Sequence, residues 1–559
     1  MASSKLILDY VYEHETNRAS QIYLTQPTGG GNVVDYTWAQ LMDQSRRMAT
    51  YLKAQGFEPG ARIAILSKNT AHFIMAELAI WMAGYTTVAI FPTEGADTVN
   101  YVLTHSEAKM LFVGKLDTWD NQIGGIPANL PCIALPLSPK TSYRTWDDIT
   151  KQTQPIAGKP ARDGKDIMFI MYTSGSTGTP KGVMHSFERG TAASVGFDAY
   201  TNREIGANSP YRVLSYLPLA HIFERACVEC AGFIGGRGRI FFAESLDTFV
   251  QDLQRAQPTV FISVPRLWLK FQQGVLAKMP QKKLDKLLGI PILGGIVKKK
   301  VLTKLGLQNA LLAGSGSAPI PPALLEWYRK LGLNLVEGLG MTEDFAFSHT
   351  TRKGSAKPGY VGFAHEGVER RFSESGELLI KSPGTFVGYY KQPELTAESF
   401  TADGFFMTGD KGELSADGQL KLTGRAKELF KTAKGKYVAP APIENMINES
   451  PMVELSMVSG IGQPAAYALV VPSEALRPQL KDPAVRAEFE AEMKAVLARV
   501  NAKVADYEQL AKIVVAREPW SIENGQLTPT MKIKRAKIEG GVAANVDKWY
   551  ESKGQVIWA

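Results

Sequence analysis

Residues 172–182 read YTSGSTGTPKG and stand directly behind the apolar run DIMFIM at 166–171. A short apolar run bounded by polar and turn residues reads as a buried strand. The chain therefore sets three glycines, five serines and threonines and one lysine at the end of a buried strand. Glycine lets backbone N–H groups approach a polyphosphate closely, hydroxyls donate to its oxygens, and Lys181 adds a mobile positive charge. Thr173, Ser174, Gly175, Ser176, Thr177, Gly178, Thr179 and Lys181 are thus the candidate phosphate-binding residues. A Walker loop needs Gly-x4-Gly-Lys-Ser/Thr. Here Pro180 precedes the lysine and Gly182 follows it, so this is a phosphate loop of another kind.

The strand signature repeats in ARIAIL (61–66), TTVAIF (86–91), KMLFVG (109–114) and TVFISV (259–264), with helix-like segments at 70–84 and 98–107. Such alternation predicts an α/β fold, a large N-terminal domain of parallel or mixed sheets covered by helices. FTADGFFMTGDKGELSADGQLKLTGR (400–425) is turn-rich with short alternating strands and predicts a small β unit. The chain then restarts with strands around 455–471 and a charged helical pattern near 484–503, a smaller α+β domain. The expected division is 1–424, a hinge at 425–430, and 431–559.

Composition narrows the function classes. With 45% hydrophobic and 21% charged residues among 559, the chain is neither disordered nor fibrous. A formal charge of +8 suits anionic partners: nucleotides, a phosphorylated cofactor, nucleic acid or an acidic membrane surface. No nucleic-acid recognition module accompanies that charge, so no nucleic-acid partner is expected. Three cysteines cannot make a disulfide framework, which points to a reducing compartment. No apolar run reaches the ~18 residues of a membrane span. The N-terminus carries Asp9, Glu13 and Glu15 and lacks the apolar core of a secretory signal. A cytoplasmic location is expected. Cys227 and Cys230 form an isolated Cys-x-x-Cys in an apolar, helix-like segment without histidines at ligand spacing, which reads as packing and not as a zinc or redox site.

The phosphate loop resembles the signature of the adenylate-forming superfamily: acyl-CoA synthetases, firefly-luciferase-like enzymes and the adenylation domains of peptide synthetases. The resemblance recurs in order in FPTEGADTVNYVLTHSEAKMLFV (91–113), YLPLAHIFER (216–225), AGSGSAPI (313–320), EGLGMTED (337–344), TGD (408–410), GRAKELFKTAKGKYVAPAPIE (424–444) and LTPTMKIKR (527–535). The HIFER form and VPRLWLKFQQGVLAKM (264–279) look most like long-chain acyl-CoA synthetases. The resemblance implies ATP, Mg2+ and coenzyme A as reaction partners of a medium- to long-chain fatty acid, which is converted to acyl-AMP and then to acyl-CoA. Its close alternatives are an aryl- or branched-acid CoA ligase and an acyl-AMP ligase that loads a carrier protein. An inert nucleotide- or lipid-binding scaffold is the alternative of a different class.

Residue by residue, Gly316, Ser317 and Ala318 match the strip where adenine lies, and the run Glu337, Gly338, Leu339, Gly340, Met341 and Thr342 matches the second nucleotide turn, with Thr342 at the α-phosphate. Glu343 matches the metal-associated acid, and Asp410 and Arg425 match the residues that hold the ribose hydroxyls. Leu339 departs from the pattern, because the family places an aromatic there; losing a base–aromatic stack forfeits about 1–3 kcal/mol. Lys532 matches the catalytic lysine that bridges carboxylate and α-phosphate, a role that suits a compact charge on a long stem. Lys427 matches the hinge. The resemblance implies a mobile C-terminal domain, with Lys532 facing the site in one pose and the loop 431–438, including Lys434, Gly435 and Lys436, serving CoA in the other. His221 matches a position beside the acyl carboxylate, where it would gate the acyl site; a histidine in an apolar run is also commonly a core residue. Residues 282–304, KKLDKLLGIPILGGIVKKKVLTK, read equally as a membrane-surface element and as a solvated helical hairpin over an apolar groove.

Overall fold

The computed structural model describes residues 5–174, 179–426, 428–528 and 531–559. Among them, the expected strands form with little change of boundary. Arg62–Leu66, Thr86–Ile90, Met110–Val113 and Ile167–Ser174 run parallel at the centre of an eight-stranded sheet. Thr86–Ile90 is buried at every position, which is why its sequence is a continuous apolar run without alternation. The helix Ala71–Met82 is likewise buried on all sides, and the Thr70 side chain caps it by accepting from the Phe73 N–H.

The phosphate loop connects two antiparallel strands. Ile167–Ser174 pairs with Pro180–Ser186, with Thr173 opposite Lys181. A Walker loop opens a helix; here the strands on either side of 175–178 pair antiparallel with each other. The expected small β unit is not separate. In a nine-stranded sheet, Val260–Ser263, Leu312–Ser315 and Leu335–Leu339 run parallel, and the sheet continues antiparallel through Tyr360–Ala364, Leu420–Arg425 and Phe406–Leu414. The turn-rich sequence showed local hairpins; the pairing of Tyr360 with Lys421 joins residues too distant in sequence to leave a local signal.

Strand alternation gives this sheet two different faces. Val260, Ile262, Leu312 and Val336 point into a large cavity. Phe261, Ala313 and Leu335 point the other way, into a cluster with Leu284, Val297 and Val301. Those last three come from the helices Gln281–Leu288 and Leu293–Lys304, so 282–304 is a helical hairpin packed on the sheet face away from the cavity. Its tip leaves Ile292 86% and Ile296 58% exposed.

From Phe430 onward the chain has its own core beneath a four-stranded sheet, Val453–Ser459, Ala466–Pro472, Leu510–Val515 and Val556–Trp558. The helix Pro483–Asn501 covers it, started by Pro483 and by Asp482, whose carboxylate accepts from the Ala484 N–H. Glu454 in this part pairs with Arg266 across the groove and with Arg477 at 3.0 Å. Among the described residues no helix is long and apolar enough to cross a membrane. The three cysteines are unpaired; Cys230 is buried and Cys227 half-buried in the π-helical turn Arg225–Cys230, as packing predicts.

Candidate active site

A cavity of about 1300 Å³ lies where the strand ends of the first part meet the C-terminal part. Its walls include Thr173, Lys181, His221, Gly316, Ser317, the whole run Gly338–Glu343, Arg425 and Lys532. Residues spread over 360 positions of sequence therefore share one space. Gly175, Ser176, Thr177, Gly178 and Lys427 lie outside the described residues, as does the side chain of Ser174. Thr179 is exposed beyond the cavity wall, and so is Ala318.

The glycine positions follow from close packing. A Cβ on Gly316 would meet the Phe223 ring at 3.1 Å, and one on Gly340 would stand 2.5 Å from the Ala346 backbone. Both backbones thus form the cavity surface because nothing larger fits. Leu339 lines the wall between them and packs outward against the cluster of Val361, Leu378 and Phe386. Glu337 does not face the cavity. Its carboxyl, pushed up to about 8 by burial, accepts from the Ile320 N–H at 3.2 Å and so ties the 316–320 turn to its strand.

Asp410 and Arg425 stand directly opposite each other on paired strands, with Arg425 Nε donating to Asp410 Oδ1 at 2.7 Å. Asp410 is buried behind the cavity wall and Arg425 reaches into it. Burial raises the Asp410 carboxyl against the pull of Arg425. Glu343 Oε1 accepts from the Tyr389 hydroxyl at 2.9 Å, and Lys181 Nζ sits 5.4 Å over the same tyrosine ring. Tyr389 thereby holds the acid and the phosphate-loop lysine on one side of the cavity. Asp344, fully buried beside them, accepts from the Met341 N–H at 2.8 Å, and burial keeps its carboxyl well above the usual range.

Lys532 comes from the C-terminal part on a short turn. Thr528 N–H donates to Lys532 O at 2.8 Å, Lys532 N–H donates back to Thr528 Oγ1 at 3.0 Å, and Met531 takes φ +63°. The ammonium projects into the cavity, where the surrounding protein and the charge of Arg425 depress its pKa while Asp410, Glu343 and Glu428 oppose that fall. Arg535 pins the same segment through Glu444 at 2.8 Å. His221 faces this lysine from the opposite wall. Burial, with the Lys532 charge, lowers its pKa to about 3, so the ring is neutral near pH 7. Its Nδ1 accepts from the Phe223 N–H at 3.3 Å, and Phe91 flanks it at 6.4 Å.

Beyond His221 the cavity becomes apolar, between Val260, Ile262, Leu312 and Val336 on the sheet and Phe197, Cys227 and Val228 opposite. None of 282–304 lines it. Lys434, Gly435 and Lys436 are also elsewhere, exposed on the hairpin between Phe430–Lys431 and Tyr437–Val438. Among the described residues no group of three or more His, Cys, Asp or Glu is arranged to hold a metal. Glu343 offers a cavity-facing carboxylate that Tyr389 holds beside Lys181. That suits magnesium, which is commonly carried on nucleotide phosphates and completed by one or two protein carboxylates.

Tyr389, Asp344 and Phe223 were not singled out from the sequence. Tyr389 and Phe223 act through partners that only folding supplies: Tyr389 stands 46 positions from Glu343, and Phe223 packs against Gly316 from a different element.

The chain resembles known proteins over nearly its whole length. The AMP-binding enzyme family matches residues 13–390, and the AMP-binding enzyme C-terminal domain matches 428–554. Long-chain-fatty-acid–CoA ligase FadD15 of Mycobacterium bovis is 28% identical, with 97% of this chain and 96% of that protein covered. Human long-chain-fatty-acid–CoA ligase 1 is also 28% identical, covering 98% and 88%. Among solved structures, the adenylation domain of a carboxylate reductase from Mycobacterium chelonae superposes with a TM-score of 0.81 at 22% identity, over 98% of this chain and 92% of that one. The anthranilate CoA ligase AuaEII in complex with anthranoyl-AMP gives a TM-score of 0.77 at 21% identity, over 98% and 99%.

Proposed function

Because the chain belongs to the AMP-binding enzyme family, we propose that it is an ATP-dependent fatty acid–CoA ligase for medium to long chains. One observation carries the reading: Lys532, Glu343, Arg425 and Lys181 line the polar end of a cavity whose other arm is apolar.

A carboxylate is a poor acyl donor because its oxygen leaves badly. In the first step a carboxylate oxygen attacks the α-phosphorus of ATP; the new O–P bond forms as the bridging P–O bond to the β-phosphate breaks, and pyrophosphate leaves with the electron pair. Two anions must approach, and Lys532 stands where it can contact both, while Thr342 and the phosphate-loop residues donate to the phosphates. Arg425 holds the ribose end, oriented by Asp410 behind it, and the Gly316–Ser317 backbone with Leu339 covers the base. Neutral His221 flanks the carboxylate without competing with Lys532 as a second cation. Glu343 would hold magnesium, which supplies neutralisation of phosphate charge.

In the second step the CoA sulfur attacks the acyl carbonyl, the C–O bond to AMP breaks, and the thiol proton passes to solvent. A thiol with an ordinary pKa near 8.5 needs no strong base for this. The exposed hairpin Lys434–Lys436 serves that step after residues 431–559 turn about Lys427 within 425–430, against a first domain of 1–424. The apolar arm favours an aliphatic acid over an aryl one. The protein works in the cytoplasm and meets acidic membranes peripherally through Ile292 and Ile296, which the lysines of 282–304 surround.

Pyrophosphate release with Mg-ATP, CoA and a panel of aliphatic and aromatic acids tests the reading. It predicts release that peaks within the aliphatic acids and an equal yield of acyl-CoA. Release without acyl-CoA would replace it with carrier loading, and a peak on aromatic acids would replace it with an aryl ligase.

A further inference from the structure

The apolar arm ends at a wall one side chain thick. Tyr200, on the helix Phe187–Ile205, and Thr350 and His365 line the main cavity. The same three residues line a second cavity of about 490 Å³, bounded beyond them by Gly196, Ala199, Phe363 and Ala364 and, at its solvent side, by the exposed Arg203, Arg352 and Glu366. What separates the two spaces is therefore this trio and little else.

The trio is held firmly. The Tyr200 hydroxyl donates to Thr351 O at 2.9 Å and accepts from Thr350 Oγ1 at 3.4 Å. Its ring meets His365 edge-on at 5.4 Å. His365 in turn stacks on Phe347 at 4.3 Å, and Phe197 closes against it at 5.4 Å. Both Tyr200 and His365 are 8% exposed. Burial, with the charges of Arg203 and Arg352, lowers the His365 pKa to about 3, so the wall presents no charge to an apolar chain near pH 7.

We infer that the Tyr200–His365 wall sets the longest acyl chain the enzyme accepts, by closing the arm just short of a second, polar-rimmed cavity into which longer chains would otherwise extend. This rests on the fatty-acid reading above. Each methylene that fits the arm adds burial, and the first that meets the wall must displace interlocked aromatic rings, so acceptance falls steeply there and not gradually.

The test is kcat/KM for saturated acids stepped by two carbons through medium and long chains. In Tyr200→Ala the optimum moves to longer acids, and the ratio of kcat/KM for the first acid beyond the parent's cut-off to that for the parent's best acid rises about tenfold or more. His365→Ala opens the same wall from the other side and shifts the profile the same way if Tyr200→Ala fails to fold. Tyr200→Phe keeps the ring and retains the cut-off. Adding Ala364→Phe to Tyr200→Ala fills the space behind the wall and returns the profile toward the parent's. A uniform loss across all acids, with the optimum unmoved in both alanine variants, overturns the inference while leaving the ligase intact. A parent silent on every aliphatic acid overturns the functional reading, and this inference with it.

Discussion

Two lysine-bearing segments of the C-terminal part make opposite use of the same side chain. Lys532 follows a tight turn into the cavity and lies within electrostatic reach of Arg425, Asp410 and Glu343. Lys434 and Lys436 flank Gly435 on an exposed hairpin away from it. The sequence offers both as basic, turn-associated stretches near anionic ligands. Burial separates them: Lys532 lines the cavity, and Lys434 and Lys436 are exposed outside it. Under the proposed reading, this arrangement serves the first half-reaction and the second requires a movement of the C-terminal part.

Each expectation that follows breaks or sharpens that contrast. Lys532→Ala has the largest effect. If Lys532 bridges carboxylate and phosphate as proposed, acyl-AMP formation falls by about a hundred- to a thousandfold, while thioester formation from supplied acyl-AMP is largely spared; quench-flow on each half-reaction reads the difference. Gly435→Ala inverts the pattern. Its φ of +75° is a left-handed conformation in which a Cβ would meet only the Lys431 side chain, at 3.9 Å, so strain is the main cost, on the order of 1–2 kcal/mol. Acyl-CoA release slows about tenfold with acyl-AMP formation unchanged.

Glu454→Gln weakens the clasp to Arg266 and Arg477 that steadies the first pose. Acyl-AMP formation falls about two- to fivefold, as partly exposed ion pairs contribute little, and the thioester step is unaffected or faster in single turnovers. The smallest effect is on the pH profile of the first step. Lys532 carries a depressed pKa and is the active form when protonated, so kcat/KM falls as pH rises through that value, below the ordinary lysine range. His221 is neutral above about 3 and adds no acid limb near 6.5. Lys532→Arg, protonated throughout, flattens the alkaline limb in the same titration.

The parts legible in the sequence were those fixed locally. Strands buried on both faces left continuous apolar runs, and the phosphate loop announced itself by glycine, hydroxyl and lysine at a strand end. Lys532 and Asp410 were legible through motifs whose spacing is short. The union of the β unit with the parallel strands was not, because Tyr360 and Lys421 find each other only through folding. Nor was the support behind the site. Tyr389 under Lys181 and Phe223 against Gly316 are ordinary residues locally and become specific only by contact. The hairpin 282–304 divides in the same way: its lysines and isoleucines were plain in the sequence, and its position on the sheet face away from the cavity was not.

The most direct test is a distance. Spin labels at Lys434→Cys and at Glu398→Cys on the cavity rim, with Cys132 and Cys227 replaced, report whether the hairpin moves. With ATP alone a single long distance is expected. With a non-hydrolysable acyl-AMP analogue and CoA, a second, shorter distance should appear as the hairpin swings to the cavity and Lys532 withdraws. One unchanged distance under both conditions, in an enzyme that still makes acyl-CoA, would contradict the two-pose account.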